Sequence, residues 1–197
     1  ALKSDGSVVT WWLASRWGDS SSVSAQLSSW VVNISRGSAQ AFAALKSDGS
    51  VVTWGNATYG WDSSGVSAQL SSWVTKLYTT WLSFAALKSD GSVISWWHAS
   101  YGWDSSSVSA QLSSWVTKIY PNWWRAYAAL KSDGSVVTWW DASRGWDSSS
   151  VSAQLSSWVV DIYSTWNYGM AALKSDGSVV TWWSSWAGWD SSSVSAQ

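Results

Sequence analysis

The chain has no cysteine and no glutamate, and it has one proline, one methionine and two phenylalanines among its 197 residues. Without cysteine there is no disulfide framework, no thiol nucleophile and no thiolate ligand for a metal. The 11 Lys and Arg residues are balanced by 12 Asp residues, and neither sign forms a run, which argues against nucleic acid and against an electrostatic membrane contact. No apolar run reaches the ~20 residues of a membrane-spanning helix.

What the chain has instead is tryptophan, with 23 residues, and repetition. The heptad "ALKSDGS" recurs at spacings of 43, 42, 43 and 43 residues, and "SAQ" recurs in step with it. Self-similarity at such a period is the signature of a repeat architecture. We interpret residues 1–197 as a single repeat array with no linker. Its units begin at about Ala1, Ala44, Ala86, Ala129 and Ala172, and the last unit is incomplete.

Each repeat contains the pattern of several short strands. Ser47-Asp48-Gly49 lies between two apolar-rich runs, and Asp-Gly in that setting predicts a β-hairpin. The segment "WVTKLY" (73–78) alternates in the manner of a further strand, with Val74, Lys76 and Tyr78 predicted on one face. A short outer strand at about Val-Ser-Ala-Gln-Leu would complete four strands per repeat. The sequence therefore predicts an all-β array of propeller-type blades, with a five-bladed ring and a β-solenoid as the competing architectures.

The stretch "AFAALKSDGSVVTWGNATYG" (41–60) resembles the repeat of the regulator of chromosome condensation family, and the resemblance extends over every repeat of the chain. The shared features are an alanine-rich strand, an Asp-Gly turn, a strand that ends in Trp-Gly and a glycine-rich segment. The resemblance implies a propeller, commonly of seven blades. Founding members of the family exchange nucleotide on a small GTPase and contact chromatin, but none of their functional residues matches a position here. The resemblance therefore implies the fold and not the exchange activity.

Many of the tryptophans stand in columns where the family has glycine. Only the second repeat keeps Gly55 after its strand-ending Trp, and the first repeat reads Trp17-Gly18 where the others read Gly-Trp. An L-residue at a glycine turn costs ~1–2 kcal/mol. We therefore hypothesise that a UGA codon read as glycine in the source organism is written here as Trp. The tryptophans at or near glycine columns are Trp12, Trp17, Trp30, Trp61, Trp73, Trp97, Trp103, Trp115, Trp123, Trp140, Trp146, Trp158, Trp166, Trp183 and Trp189.

The function predicted from these features is a non-enzymatic repeat scaffold for protein interaction, or a surface or structural role. The segments that differ most between repeats fall at one place in each blade, which suits diversification for partners. The fifth repeat stops at Gln197, so we expect a segment of a longer array, or a chain that associates with copies of itself through open blade edges. The compartment is left open, with a secreted or cell-surface location favoured; Asn33 and Asn56 begin glycosylation sequons.

The alternative function is a lectin-like propeller that binds carbohydrate once per blade. Aromatic rings stack on sugar faces, and carboxylates accept hydrogen bonds from sugar hydroxyls. No catalytic residue, metal site or cofactor is expected, because the single His98 occurs in one repeat and the turn aspartates are explained by local backbone hydrogen bonds. The candidate ligand-binding residues are Trp61, Asp62, Trp103, Asp104, Trp146, Asp147, Trp189 and Asp190.

Overall fold

The structure, a computed structural model, describes residues 1–11, 19–37, 41–55, 62–81, 83–97, 105–122, 126–139, 148–165 and 169–183. The chain divides into two compact units, an N-terminal unit, Ala1–Gly102, and a C-terminal unit, Trp103–Gln197. Within these described residues, each unit has two three-stranded antiparallel sheets, which we name blades. The prediction of an all-β array of propeller-type blades is confirmed.

The three strands of each blade follow one another in sequence, and the second lies in the middle. In the N-terminal unit the blades are β1 (Val31–Arg36), β2 (Ala41–Lys46) and β3 (Val51–Gly55), then β4 (Val74–Thr79), β5 (Ser83–Lys88) and β6 (Val93–Trp97). In the C-terminal unit they are β7 (Val116–Pro121), β8 (Tyr127–Lys131) and β9 (Val136–Trp139), then β10 (Val159–Ser164), β11 (Gly169–Lys174) and β12 (Val179–Trp183).

The Asp-Gly hairpin forms as predicted between the second and third strands of each blade. Gly49 has a φ of +79°, and its N–H donates to the carbonyl of Lys46 at 3.0 Å. The Asp48 carboxylate accepts hydrogen bonds from the backbone N–H and the hydroxyl of Ser50, at 2.9 and 2.7 Å. In the first repeat the hairpin is reduced to a single bridge between Leu2 and Val8.

The predicted face of the first strand is wrong at Val74, because each first strand contains a β-bulge directly after its first residue. In β4 the register with β5 shifts between Val74 and Lys76, so that Val74 and Leu77 both turn inward, while Lys76 is exposed. An extra residue on one strand breaks the two-residue alternation beyond it. The Thr75 hydroxyl donates to the carbonyl of Leu87 across the bulge at 3.0 Å.

The predicted outer strand is also wrong, since a 3₁₀ helix and a turn replace it. The N–H of Leu70 donates back to the Val66 carbonyl at 3.1 Å, and Ser hydroxyls bond to carbonyls three residues earlier, which favours a coiled backbone. Leu70 still accepts the N–H of Val51 and so joins this segment to the blade. In the part of the chain that the structure describes, the 3₁₀ helices are Ser21–Val23, Ser64–Val66, Ser106–Val108 and Ser149–Val151.

In each unit an apolar cluster lies between the two blades, and it combines alanine and a buried tryptophan with larger aliphatic side chains. The middle strands contribute alanines with no exposed surface, such as Ala43 and Ala86, and small side chains let neighbouring sheets approach closely. Trp96 is buried and stacks on Phe84 with ring centroids 5.3 Å apart. The equivalent buried tryptophans are Trp54, Trp139 and Trp182.

Candidate functional site

Variation between repeats is marked on the first strand of each blade and in the segment that follows it. The position after the bulge is Asn33, Lys76, Lys118 or Asp161, whereas the hairpin turn and the 3₁₀ segment hardly change. The first strand is an edge strand within its own sheet. The bulge directs the residue after it away from the strand's own core, and so it positions the variable side chains of this face.

Two first strands of the C-terminal unit meet through a polar cluster. Lys118 Nζ lies 3.2 Å from the Asp161 Oδ1 and 4.4 Å from the ring centroid of Tyr120. The Tyr120 hydroxyl donates a short hydrogen bond to the same carboxylate oxygen. The N–H of Ile162 donates to that oxygen at 3.0 Å. One carboxylate of the second blade therefore binds two side chains of the first blade, which lie two residues apart on one face of β7.

Two further side chains extend this contact along the strands. Asn122 is fully buried, and its Nδ2 donates to the carbonyl of Thr165 at 3.0 Å. The Ser164 hydroxyl donates to the carbonyl of Pro121 at 3.1 Å. Together with Lys118, Tyr120 and Asp161 these residues form what we name the polar clasp of the C-terminal unit.

The clasp shifts the protonation of its members in a consistent direction. The hydrogen bond from Tyr120, followed by that from Lys118, lowers the pKa of Asp161. Tyr120 and Asp161 in turn raise the pKa of Lys118. Burial, and then the Asp161 carboxylate, raises the pKa of Tyr120. The pKa shifts favour the charged forms of Asp161 and Lys118 and the neutral form of Tyr120, so the Lys118–Asp161 pair stays ionised at neutral pH.

Of the eight candidate sugar-binding residues, the structure describes only Asp62. Its carboxylate accepts the backbone N–H and the hydroxyl of Ser64, each at 2.8 Å, at the start of the 3₁₀ helix. These bonds lower the pKa of Asp62, with the backbone bond as the larger cause. Trp61, Trp103, Asp104, Trp146, Asp147, Trp189 and Asp190 lie outside the described residues, as do His98 and Asn56.

Another column of tryptophans is at the surface. Trp30, Trp73, Trp115 and Trp158 directly precede the first strand of each blade, and each is 68% exposed. Their backbone φ values lie between +66° and +68°. The sequence had identified this column as one in which tryptophan replaces glycine.

Within the described part of the chain, no group of three or more His, Cys, Asp or Glu side chains could hold a metal ion. The same residues include no helix that is long and apolar enough to cross a membrane. The residues of the polar clasp were not identified from the sequence. The sequence offered one signal: Lys118 and Asp161, of opposite charge, occupy the same position in adjacent repeats, where the other repeats have Asn33 and Lys76.

Comparison with known proteins gives a likeness of fold. No family model and no curated protein matches the sequence. Among solved structures, Prp20p from Saccharomyces cerevisiae, described with its binding to Gsp1p and histones, matches with a TM-score of 0.50 and 17% identity, over 78% of this chain and 44% of that one.

Two further structures are similar at lower scores. Yeast RCC1 (Prp20) bound to Kap60 has a TM-score of 0.48 and 16% identity, over 77% of this chain and 41% of that one. The CRINKLY WD40 ectodomain of the Arabidopsis thaliana receptor kinase ACR4 has a TM-score of 0.43 and 15% identity, over 78% of this chain and 52% of that one. The chain thus spans about half or less of the length of these proteins. Together with the Asp-Gly hairpin and the buried strand-end tryptophan, the likeness to Prp20p shows that these blades have the fold of the regulator of chromosome condensation repeat.

Proposed function

We propose that the protein is a non-enzymatic repeat scaffold whose first strands present changing side chains to protein partners. The observation that carries this proposal is the distribution of variation. The Asp-Gly turn and the 3₁₀ segment keep nearly the same residues from repeat to repeat, while the first strand changes in charge, size and aromatic character. Repeat proteins bind partners through rows of such positions on a constant framework.

The exposed first-strand side chains within each unit have the chemistry of an interaction surface. Arg36 and Lys76 are exposed in the N-terminal unit, and Tyr163 is 58% exposed in the C-terminal unit. Arg and Tyr are enriched in protein interfaces because they combine a large contact area with hydrogen bonding. The described binding of Prp20p to Gsp1p and histones supports protein as the class of ligand and nothing more specific.

A matched pair of variants tests the proposal. In the first, Arg36→Ser, Lys76→Ser and Tyr163→Ser are combined; in the control, three exposed residues of the constant segment are changed, Gln26→Ser, Gln69→Ser and Gln154→Ser. Partners are identified by cross-linking and mass spectrometry with the unchanged chain. Each variant's affinity for the purified partner is then measured.

We expect the first variant to lose about tenfold or more in affinity, in line with the loss of one or two hot-spot side chains, and the control to keep it. Equal affinities for the two variants would contradict the proposal. A chain that cross-links only to copies of itself would instead favour self-association through blade edges, the other form of partner that the sequence predicts.

The carbohydrate-binding alternative stays a prediction, supported by the exposed carboxylate of Asp62, which follows Trp61 in the sequence. The variant with Trp103→Ala and Trp146→Ala should then lose its retention on a glycan array. Unchanged retention would exclude this alternative, and the absence of retention by the starting chain would do the same.

A further inference from the structure

Four tryptophans adopt a backbone conformation that suits glycine. Trp30, Trp73, Trp115 and Trp158 have φ values of +66°, +68°, +68° and +67°, and they are the positive-φ residues other than glycine in the described chain. At positive φ the Cβ of an L-residue crowds the neighbouring carbonyl, and for a bulky side chain this is a true outlier. Glycine adopts the same conformation without strain.

Packing against the Asp-Gly turns holds the backbone in this conformation. The carbonyl of Trp73 accepts the N–H of Ser89 at 2.9 Å, and the N–H of Val74 donates to the carbonyl of Gly49 at 3.0 Å. A Cβ added to Gly49 would lie 2.6 Å from the backbone nitrogen of Trp73. The chain is therefore bonded to a turn on each side at this point and cannot relax to negative φ without breaking those bonds.

The same arrangement recurs in the C-terminal unit. The carbonyl of Trp158 accepts the N–H of Ser175 at 2.9 Å, and the N–H of Val159 donates to the carbonyl of Gly134 at 3.0 Å. A Cβ added to Gly134 would lie 2.7 Å from the backbone nitrogen of Trp158. The positive φ is thus a property of the repeat and not of one site.

The indole rings do not compensate for this strain. Each of the four tryptophans is 68% exposed, so it removes little apolar surface from water. Trp96, by contrast, is 3% exposed and stacked on Phe84. Among the described residues, these two repeated columns therefore form two classes, a buried class that the core requires and an exposed class, Trp30, Trp73, Trp115 and Trp158, that the backbone disfavours. Trp11 and Trp81 are also exposed but lack the positive φ and belong to neither class.

We propose that the exposed class is glycine in the protein as its source makes it, because a UGA codon is read there as glycine. UGA differs by one base from UGG, which encodes tryptophan, and by one base from GGA, which encodes glycine. Duplication of the repeat copies the codon, so one recoded position becomes a whole column. The buried class, Trp54, Trp96, Trp139 and Trp182, is tryptophan in both versions.

This inference is independent of the proposed scaffold function. If the column is glycine, the row of exposed indole rings is absent from the natural surface and does not contribute to recognition. The first-strand side chains Arg36, Lys76 and Tyr163 are unaffected, so the two proposals can fail separately.

Mass spectrometry of the protein isolated from its source tests the inference directly. Cleavage after lysine releases residues 89–118, which contain Trp96 and Trp115, and residues 47–76, which contain Trp54 and Trp73. The fragment spectrum of each peptide thus identifies the amino acid at one position of the buried class and at one position of the exposed class. We expect glycine at positions 73 and 115 and tryptophan at positions 54 and 96. Tryptophan at all four positions, or UGG codons in the exposed column of the gene, would overturn the inference.

A second measurement tests the physical argument on the chain with tryptophan at these positions. Trp73→Gly and Trp115→Gly should each raise the melting temperature by about 2–4 °C, because the strain of positive φ is removed. Trp73→Ala should raise it by less, since alanine keeps the Cβ, and Trp96→Gly should lower it. Glycine variants no more stable than the alanine variants would contradict the argument.

Discussion

The two units differ in how their blades are joined. In the N-terminal unit, Ala43 and Leu45 of one blade pack against Val74, Phe84 and Trp96 of the next in an apolar cluster. The C-terminal unit has the corresponding apolar cluster and adds the polar clasp to it. The constant residues of the repeat thus supply the same apolar junction twice, and the variable residues determine whether polar contacts reinforce it.

This difference arises from the side chains on the first strand of the first blade in each unit and in the residue that follows it. Where the C-terminal unit has the long side chains of Lys118, Tyr120 and Asn122, the N-terminal unit has Asn33, Ser35 and Gly37. The columns of Lys118 and Asp161 are occupied by Asn33 and Lys76 in the N-terminal unit, and this combination forms no ion pair. Four experiments separate the shared part of the two junctions from the part that differs.

The largest effect is expected for the shared apolar part. Trp96→Ala and Trp182→Ala should each lower the free energy of unfolding by about 3–5 kcal/mol, because both remove a buried ring from the junction. Chemical denaturation measures both losses, and the exposed Trp115→Ala serves as the control without loss. A loss at one site less than half of that at the other would contradict an equivalent apolar junction.

Asn122→Ala should produce the next largest effect, and only the C-terminal unit has this contact to lose. The change removes the buried amide whose Nδ2 donates to the Thr165 carbonyl, and the loss of this hydrogen bond should cost about 0.5–1.5 kcal/mol. Asn33→Ala, at an exposed position, is the control and should leave stability unchanged. If the two variants were equally stable, the buried amide would have no role in the junction.

Asp161→Asn should cost about 0.2–1 kcal/mol at neutral pH, since about a third of this side chain is exposed and solvent screens the pair. The folded-state pKa of Asp161 is lowered, so its contribution is present above the unfolded pKa of about 3.9 and is lost as pH falls through the folded value. The stability difference between wild type and variant should therefore shrink in acid. A difference that stays constant from neutral pH into acid would exclude the carboxylate as its source.

The smallest effect is expected when the clasp is transferred to the N-terminal unit. Asn33→Lys, Ser35→Tyr and Lys76→Asp combined place Lys, Tyr and Asp at the three equivalent positions. We expect a gain of a few tenths of a kcal/mol that disappears at high salt, because exposed pairs are screened. The variant without Lys76→Asp is the control, and a gain in that control of the same size would show that charge pairing is not its cause.

The parts of the fold that the sequence predicted correctly are those with short-range causes. The Asp48-Gly49 turn was predicted because its hydrogen bonds join residues two or three positions apart. The 3₁₀ helix at Ser64–Val66 also has local bonds, but its Ser-rich sequence was interpreted as an outer strand by analogy with four-stranded blades. The error shows that the repeat length alone does not determine how many strands a blade has.

For the first-strand site, the sequence predicted the segment of the chain but not the contacts within it. Variation between repeats identified the segment of the first strand, but not the contact of Lys118 and Tyr120 with Asp161. That contact depends on the bulge, which alters which side chains share a face, and on a partner strand one repeat away.

The sequence by itself determined the period and the hairpins, because these follow from turn chemistry and from segments that recur in every repeat. Only the tertiary structure decided the bulge, the polar clasp and the positive φ of Trp30, Trp73, Trp115 and Trp158. Each of the three requires two segments to meet that are distant along the chain. Their geometry is fixed by hydrogen bonds between those segments, and no local pattern specifies it.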